Sequence, residues 1–117
     1  MISFITAENG ALCEIDAPVS GCWISVVDPN PEEVRELIEV YGLDSGFVRS
    51  SIDEEESSRI EREDDQTLVI IDTPVSSIED ENTKTFYTMP MGIIITKDYV
   101  FTISIKETQI IKEAMRG

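Results

Sequence analysis

Residues 23–62 read WISVVDPNPEEVRELIEVYGLDSGFVRSSIDEEESSRIER, and this stretch decides the fold. It begins inside a mostly apolar run, residues 22–27, of the kind found in strands that are buried on both faces. A proline-led helix follows, and then come a second short helical segment, an acidic corner and a new strand over residues 58–63. The order of strand, helix and strand predicts an α/β domain.

The first helix has the clearest local signals. Asn30 can cap it, Pro31 suits the first helical position, and Glu33 completes a capping box. Gly42 is suited to the left-handed conformation that ends many helices. One apolar face is predicted from residues with helical spacing, namely Val34, Leu37, Ile38 and Tyr41.

Shorter elements are predicted between this helix and the next strand. Asp44 can cap a second, shorter helix that carries Phe47 and Val48 inward. A third short helical turn is expected near Ile52. In residues 58–63 the only apolar side chain has charged neighbours, which indicates an exposed or edge strand.

The other predicted strands follow one another closely, as in a sheet built from hairpins. They are residues 2–6, 11–15, 66–72, 85–89, 92–96 and 99–105. Pro74 is expected to end or bend the strand before it, Pro90 to require an edge position or a break, and residues 76–84 to form a polar loop. The predicted fold class is therefore α/β (or α+β), with a mixed, largely antiparallel sheet and short helices packed on it.

The chain length of 117 residues is near the usual size of one domain, so residues 1–117 are interpreted as a single domain. From Glu107 the apolar residues again have helical spacing. Because this predicted helix stops at Gly117 without a partner, we expect the chain to be cut from a longer protein.

The composition is strongly acidic, with 24 Asp and Glu, 9 Lys and Arg, no His and a formal charge of −15. Binding of nucleic acid or anionic membranes is not expected, since phosphate binding depends on Lys and Arg. A Ser-His-Asp arrangement is impossible without His, and no phosphate-binding glycine motif is present. The charge favours a cation or a basic partner, although solubility accounts for much acidity of this kind.

The two cysteines, Cys13 and Cys22, lie in apolar or strand-like surroundings, and neither belongs to a CxxC pair. We expect both to be buried, reduced thiols. No secretory signal is visible, and no run of about 20 apolar residues occurs. A soluble, intracellular chain is therefore expected.

Six segments between residues 22 and 105 occur in a characteristic order. They are Trp23-Ile24 with Asp28-Pro29, Tyr41-Gly42-Leu43-Asp44, residues 53–61 (DEEESSRIE), residues 67–71 (TLVII), residues 88–94 (TMPMGII) and residues 99–103 (YVFTI). Together they resemble the N-terminal cytoplasmic domain of CorA-type magnesium and divalent-cation transporters. The Gly-Met-Asn pore signature and the transmembrane helices of that family do not occur in this sequence, so no pore residue is assigned.

This resemblance implies a regulatory role rather than an enzymatic one. It implies a domain on the cytoplasmic side of the cell membrane that helps to form a pentameric funnel and to sense intracellular Mg²⁺, with Co²⁺ or Ni²⁺ as further transported or regulatory ions. The membrane would be reached only through the missing C-terminal region. Since the pentamer contacts of the family lie largely in that region, the chain alone is expected to be a monomer or a weak oligomer.

Three acidic clusters could attract a divalent cation, because Mg²⁺ prefers oxygen ligands and keeps several waters. They are residues 53–56, the group Glu61, Glu63, Asp64 and Asp65, and the run Glu79-Asp80-Glu81. In the resembled family, a carboxylate that follows an equivalent strand contributes to a regulatory magnesium site between subunits. On that basis Asp80 is the preferred ligand, with Glu79 and Glu81 beside it.

Two other classes of function remain open. One is a small magnesium-dependent hydrolase that uses Asp53, Glu55 and Asp72, although such chemistry usually needs a cationic group and basic residues are scarce here. The other is a free-standing acidic module that binds a basic partner. A downstream reading frame that encodes long helices, two hydrophobic spans and Gly-Met-Asn would favour the interpretation as part of a transporter. A stop codon after Gly117 would favour the interpretation as an acidic module.

Overall fold

The computed structural model describes residues 1–78, 84–108, 111, 113 and 114. The elements, in chain order, are β1 (Ile2–Glu8), β2 (Ala11–Ile15), β3 (Trp23–Val27), α1 (Pro31–Glu39), α2 (Ser45–Ser51), β4 (Arg59–Glu63), β5 (Gln66–Ile78), β6 (Lys84–Ile95) and β7 (Val100–Ser104).

Within the described residues the strands form one seven-stranded sheet in the order β2-β1-β3-β7-β6-β5-β4. Neighbouring strands are antiparallel except for β3 and β7, which are parallel. After β3 the chain passes through both helices and enters the sheet again at its far edge, as β4. It then returns toward β3 through β5, β6 and β7, each antiparallel to the one before, so that β7 lies beside β3 and parallel to it. The predicted class, a mixed and largely antiparallel sheet with short helices, is confirmed.

The main hydrophobic core lies between the helices and one face of the sheet. Its most deeply buried members, each no more than 1% exposed, are Cys22, Ile24, Val26, Leu37, Val48, Leu68, Ile70, Ile94, Phe101 and Ile103. Tyr41, which follows the C-cap residue of α1, meets Tyr99 and Phe101 edge-to-face, with ring centroids 5.8 and 5.6 Å away. The predicted inward face of α1 is therefore confirmed.

The predicted caps of both helices are also present. Asn30 Oδ1 accepts from Glu33 N–H at 2.8 Å, and Glu33 Oε1 accepts from Asn30 N–H at 3.0 Å, which completes the capping box. Gly42 has φ +70, as its role after α1 requires. Asp44 Oδ1 accepts from Phe47 N–H at 3.0 Å and caps α2.

The third helical turn expected near Ile52 is not formed. Ile52 is instead the C-cap of α2, and the chain continues through a turn in which Glu56 N–H donates to Asp53 O at 3.2 Å. The turn leads directly into β4, which is the predicted edge strand, with Ile60 73% exposed.

The strand does not end at Pro74, whereas one of the two alternatives expected for Pro90, an edge position, is confirmed. β5 runs through Pro74 to Ile78, and β6 runs unbroken through Pro90. β4 pairs with β5 only as far as Ile70, and β7 pairs with β6 only from Met91. Residues 72–78 and 84–90 therefore form a two-stranded arm in which each proline has one neighbouring strand, so neither needs a second ladder hydrogen bond.

The arm also changes the extent of the predicted polar loop at residues 76–84. Residues 76–78 belong to β5 and Lys84 to β6. Residues 79–83 lie outside the described residues.

The segment after β7 lies on the other face of the sheet, which we call the second face. Thr108 and Ile111 are buried there, and Thr108 Oγ1 is 3.9 Å from Met91 Sδ. Residues 111, 113 and 114 are helical, as predicted, whereas 109, 110, 112 and 115–117 are outside the described residues. Cys22 is buried, but Cys13 is only half-buried, and both are free thiols.

Candidate cation-binding sites

The preferred ligands from the sequence, Glu79, Asp80 and Glu81, fall outside the described residues. In the chain they lie between β5, which ends at Ile78, and β6, which begins at Lys84. The structure thus describes the two strands that flank these carboxylates. The role of the three side chains as ligands remains a prediction.

The acidic corner at residues 53–56 is organised by hydrogen bonds within the protein. Asp53 Oδ1 accepts from Glu55 N–H at 2.9 Å. Arg59 forms an ion pair with Glu56 and donates to Glu61 Oε2 at 3.2 Å. These contacts give the corner a structural role, because one guanidinium is shared by Glu56 of the corner and Glu61 of the second acidic cluster.

Arg59 also connects this corner to α2. Its Nη2 donates to Ser50 Oγ at 3.1 Å, so the guanidinium contacts the end of the helix as well as the carboxylates. The side chain is about one third exposed, at 33%. Partly exposed pairs of this kind contribute modestly to stability, about 1 kcal/mol or less each.

The second acidic cluster lies at the turn between β4 and β5. Glu61 is paired with Arg59, and Glu63, Asp64 and Asp65 are exposed. Asp64 has φ +53, a left-handed conformation that aspartate tolerates in tight turns. The turn geometry explains these residues without a ligand.

The carboxylates of the hydrolase alternative are not assembled as a metal centre. Asp72 Oδ2 accepts from Ser58 Oγ at 3.5 Å, at the base of the arm. Across the part of the chain that the structure describes, no three Asp, Glu or Cys side chains are grouped as ligands of one metal ion. The sequence-based trio Asp53, Glu55 and Asp72 therefore gains no support from the geometry.

A cavity on the second face contains carboxylates that the sequence analysis did not consider. Its volume is about 180 Å³, and the described residues that line it are Met1, Ser3, Ile5, Glu14, Ser25, Val27, Glu107 and Ile111. Glu14 lies on the edge strand β2, and Glu107 lies on the segment that follows β7. Because Glu14 and Glu107 are far apart in sequence, no local spacing could have shown that they line the same cavity. The one available signal was Ser25, a hydroxyl within an apolar strand.

A second cavity, of about 290 Å³, lies beside the base of the arm. The described residues around it are Glu54, Tyr87, Thr88, Met89 and Lys106. Lys106 Nζ donates to Tyr87 Oη at 3.0 Å, and this hydrogen bond raises the pKa of the lysine. A lysine cation therefore already occupies this wall, which disfavours binding of a second cation there.

None of the helices within the described ranges has the length and apolar character that crossing a bilayer requires.

The solved structures with the same fold include transporters. The complete CorA magnesium transporter of Methanocaldococcus jannaschii matches with a TM-score of 0.74 and 22% identity, over 99% of this chain and 36% of the transporter chain. The soluble domain of CorA from the same organism matches with a TM-score of 0.76 and 24% identity, over 99% of this chain and 45% of that domain.

A further match is the full-length CmaX protein, with a TM-score of 0.70 and 11% identity, over 100% of this chain and 39% of CmaX. At these identities the likeness shows a shared fold. The chain spans between 36% and 45% of the length of the three solved chains.

Comparison with curated protein sequences found no match. A protein-family model, by contrast, matches residues 20–117, and it describes a CorA-like Mg²⁺ transporter protein. Since this match covers most of the sequence, the chain belongs to the CorA-like Mg²⁺ transporter family.

Proposed function

We propose that this chain is the cytoplasmic regulatory domain of a CorA-type divalent-cation transporter. It would contribute to sensing Mg²⁺, or Co²⁺ or Ni²⁺, and to assembly of a pentameric funnel. The main support is the combination of the family match with a fold that covers 99% of this chain in the solved CorA soluble domain. We assign the domain no catalytic role.

The negative charge of the domain supports an electrostatic mechanism. A formal charge of −15 draws divalent cations to the surface and disfavours close contact between copies of the domain. Two facing carboxylates about 4 Å apart repel by roughly 1 kcal/mol in bulk water and roughly 4 kcal/mol near a protein surface. Bound Mg²⁺ would replace this repulsion by attraction and shift the population toward the closed assembly.

Asp80, with Glu79 and Glu81 as neighbours, is the proposed regulatory ligand between subunits. These residues follow β5, and β5 and β6 extend beyond β4 and β7 as the arm. Among the described residues the arm has no further strand on either side, which supports the approach of a neighbouring subunit to its strands. The partner ligand would come from that subunit.

The test is transport by the full-length protein over a range of Mg²⁺ concentrations on the cytoplasmic side. Asp80→Ala is expected to shift Mg²⁺ inhibition of transport to higher concentration. Asp65→Ala, which removes the same charge from the exposed turn after β4, is the matched control and should leave the response unchanged. An unchanged Mg²⁺ response in Asp80→Ala would rule Asp80 out.

The gene itself separates this function from the acidic-module alternative. A reading frame that continues into long helices, two hydrophobic spans and Gly-Met-Asn is expected. A stop codon directly after Gly117 would contradict the proposed transporter function and would favour the interpretation as an acidic module.

A further inference from the structure

The arm formed by residues 72–78 and 84–90 has two open edges. Its strands pair with each other along their whole length, whereas β4 pairs with β5 only up to Ile70 and β7 pairs with β6 only from Met91. Among the described residues no third strand lies beside either edge. A strand with a free edge presents a row of backbone N–H and C=O groups to which the strand of another chain can add.

The hydrogen bonds of β7 show which residues of β6 face the open edge. Ser104 O accepts from Asp28 N–H at 2.8 Å, so the backbone groups of Ser104 face β3. Successive residues of a strand face opposite neighbours, and Ile103 therefore faces β6, where it is paired with Gly92. The even-numbered residues of β6 thus direct their backbone groups toward β7, and where β7 has ended they direct them toward the open edge.

The two prolines of the arm occupy such outward positions, one on each edge. Pro90 lies two residues before Gly92 and faces the edge of β6. Its partner Asp72 faces the edge of β5, because two residues paired in this way bond to the outer neighbours and not to each other. Pro74 lies two residues after Asp72, opposite Thr88, and also faces outward. Each open edge therefore has one position without a donor, since the proline nitrogen carries no hydrogen.

The register of the sheet brings Pro90 to the place where β7 ends. Met91 pairs with Ser104, so a longer β7 would place Ile105 opposite Pro90, at a position where β6 would have to donate. β7 stops at Ser104 instead, and Thr108, a few residues later, is buried on the second face. Strand pairing thus stops at the proline within this chain itself.

The rest of the arm favours strand pairing. Asp72 and Lys84 are its only charged residues, and many of the others are Thr, Val, Ile, Phe or Tyr, which are common in strands. The edge strand β4 differs, because all of its residues except Ile60 are charged, and charge is one means of protecting an edge. Segments that combine high strand propensity, low charge and no proline are those that associate through strands. The prolines are therefore the feature of the arm that opposes edge pairing.

We propose that Pro74 and Pro90 keep the two edges of the arm from pairing with a second copy of this chain. An added strand would meet no donor at either proline, and its own C=O group there would lack a partner, at a cost of about 1–3 kcal/mol. Copies of the domain would therefore contact one another through side chains and not through a shared sheet. This role is separate from the proposed function, because it applies whenever two copies meet and involves no bound ion.

The experiment replaces the prolines and measures self-association of the 117-residue chain by sedimentation velocity. Pro74→Thr opens one edge and is expected to form dimers, since two copies of the same edge close a symmetric pair. Pro74→Thr combined with Pro90→Thr opens both edges and is expected to form larger, open-ended assemblies. The apparent dissociation constant of both variants should be about tenfold or more below that of the wild type. Salt at about 1 M limits charge interactions to ~3 Å and so suppresses repulsion between the acidic copies.

The matched control is Pro18→Thr combined with Pro29→Thr, which removes two prolines that lie outside the strands and helices. It should associate no more than the wild type, and association equal to that of the arm variants would overturn the proposal. Arm variants that associate no more than the wild type would also overturn it. Thermal unfolding confirms that each variant is folded, and Pro90→Thr alone tests the second edge if the double variant does not fold.

Amide hydrogen exchange locates the contact in the associated state. In Pro74→Thr the amide of Asp72 faces the opened edge, so its exchange should become slower as the protein concentration rises. The amide of Thr73 faces β6 and serves as the internal comparison, since its exchange should not change with concentration. An associated variant in which exchange at Asp72 is not slowed would contradict pairing through the edge.

Discussion

Gly92 lies on β6 where α2 approaches the sheet most closely. A Cβ atom at this position would be 1.8 Å from Ser51 Oγ, 2.4 Å from Ser51 Cβ and 3.1 Å from Ser51 Cα. Ser51 is fully buried, and its Oγ donates to Phe47 O at 2.8 Å. The contact therefore involves the body of the helix and cannot be relieved by turning a flexible side chain.

Gly92→Ala is accordingly expected to destabilise the protein by about 1–3 kcal/mol, the usual cost of overpacking a core. The measurement is urea unfolding of the variant against the wild type. Ser51→Gly combined with Gly92→Ala should recover part of the loss, because it removes both side-chain clashes. A single Gly92→Ala variant as stable as the wild type would show that the helix is not packed as described.

Glu33 has a pKa below the ordinary glutamate value. The backbone N–H of Asn30 is the main cause, and the N-terminal ammonium adds a smaller lowering effect. A carboxyl with a lowered native pKa stabilises the fold above its unfolded pKa, and this stabilisation is lost as the pH falls through the native value.

Glu33→Gln keeps an acceptor for the cap but removes the charge. We expect it to reduce the free energy of unfolding at pH 7 by about 0.3–1 kcal/mol, as is typical for a charge near a helix N-terminus. The difference from the wild type should shrink below about pH 4.3, the unfolded value, and vanish once the native carboxyl is protonated. Denaturant titrations across this range measure it, and a difference independent of pH would contradict the assignment.

At the scale of elements, the turn between α1 and α2 is held by one side chain of β5. Gln66 Nε2 donates to Gly42 O at 2.7 Å, and Gln66 Oε1 accepts from Asp44 N–H at 2.8 Å. The amide thus pairs with both a backbone acceptor and a backbone donor. It connects the cap of α2 to the start of the strand.

Gln66→Glu keeps the acceptor for Asp44 N–H but replaces the donor to Gly42 O by a carboxylate oxygen. We expect a loss of stability of about 1 kcal/mol or more, together with faster amide exchange at Asp44 and Phe47. Gln66→Met, which removes both hydrogen bonds at similar size, is the comparison. Stability and exchange equal to the wild type in both variants would show that the turn does not depend on Gln66.

The elements that were predicted correctly are those specified by neighbouring residues. The start of α1 is specified by three residues that are close in sequence, Asn30, Pro31 and Glu33. The hydrogen bonds of its capping box form among these neighbours and need no residue from another part of the chain. Pro74 was misjudged because a proline does not end a strand where only one other strand lies beside it, and Pro90 occupies such an edge position, as one of its predicted alternatives. Where β4 and β7 stop is a property of the sheet, which residues 74 and 90 do not encode locally.

The same distinction applies to the candidate sites. The acidic runs were visible in the sequence, but Arg59 pairs with one carboxylate in each of two of them, Glu56 and Glu61, through contacts made only in the folded chain. Glu14 and Glu107 lie near opposite ends of the chain and meet at one cavity because β1 and β2 form an edge hairpin and the segment after β7 lies on the second face. Asp80 was selected from the family resemblance, and its role stays a prediction.

At the scale of the whole molecule, the negative charge acts against the assembly that we propose for the domain. A domain with a formal charge of −15 repels its own copies, and this repulsion is weakened by salt and more strongly by a bound divalent ion. The account therefore predicts that subunit arrangement, rather than the fold of each domain, responds to Mg²⁺.

The most direct measurement is the distance between domains in the full-length assembly as Mg²⁺ is varied. Val40 is 71% exposed just after α1, so Val40→Cys can carry a spin label once Cys13 has been replaced by serine. We predict a broad distribution of distances at low Mg²⁺ that becomes narrow and shorter at high Mg²⁺, with the change reduced in Asp80→Ala. A distribution that does not change with Mg²⁺ would contradict the central claim that this domain senses divalent cations.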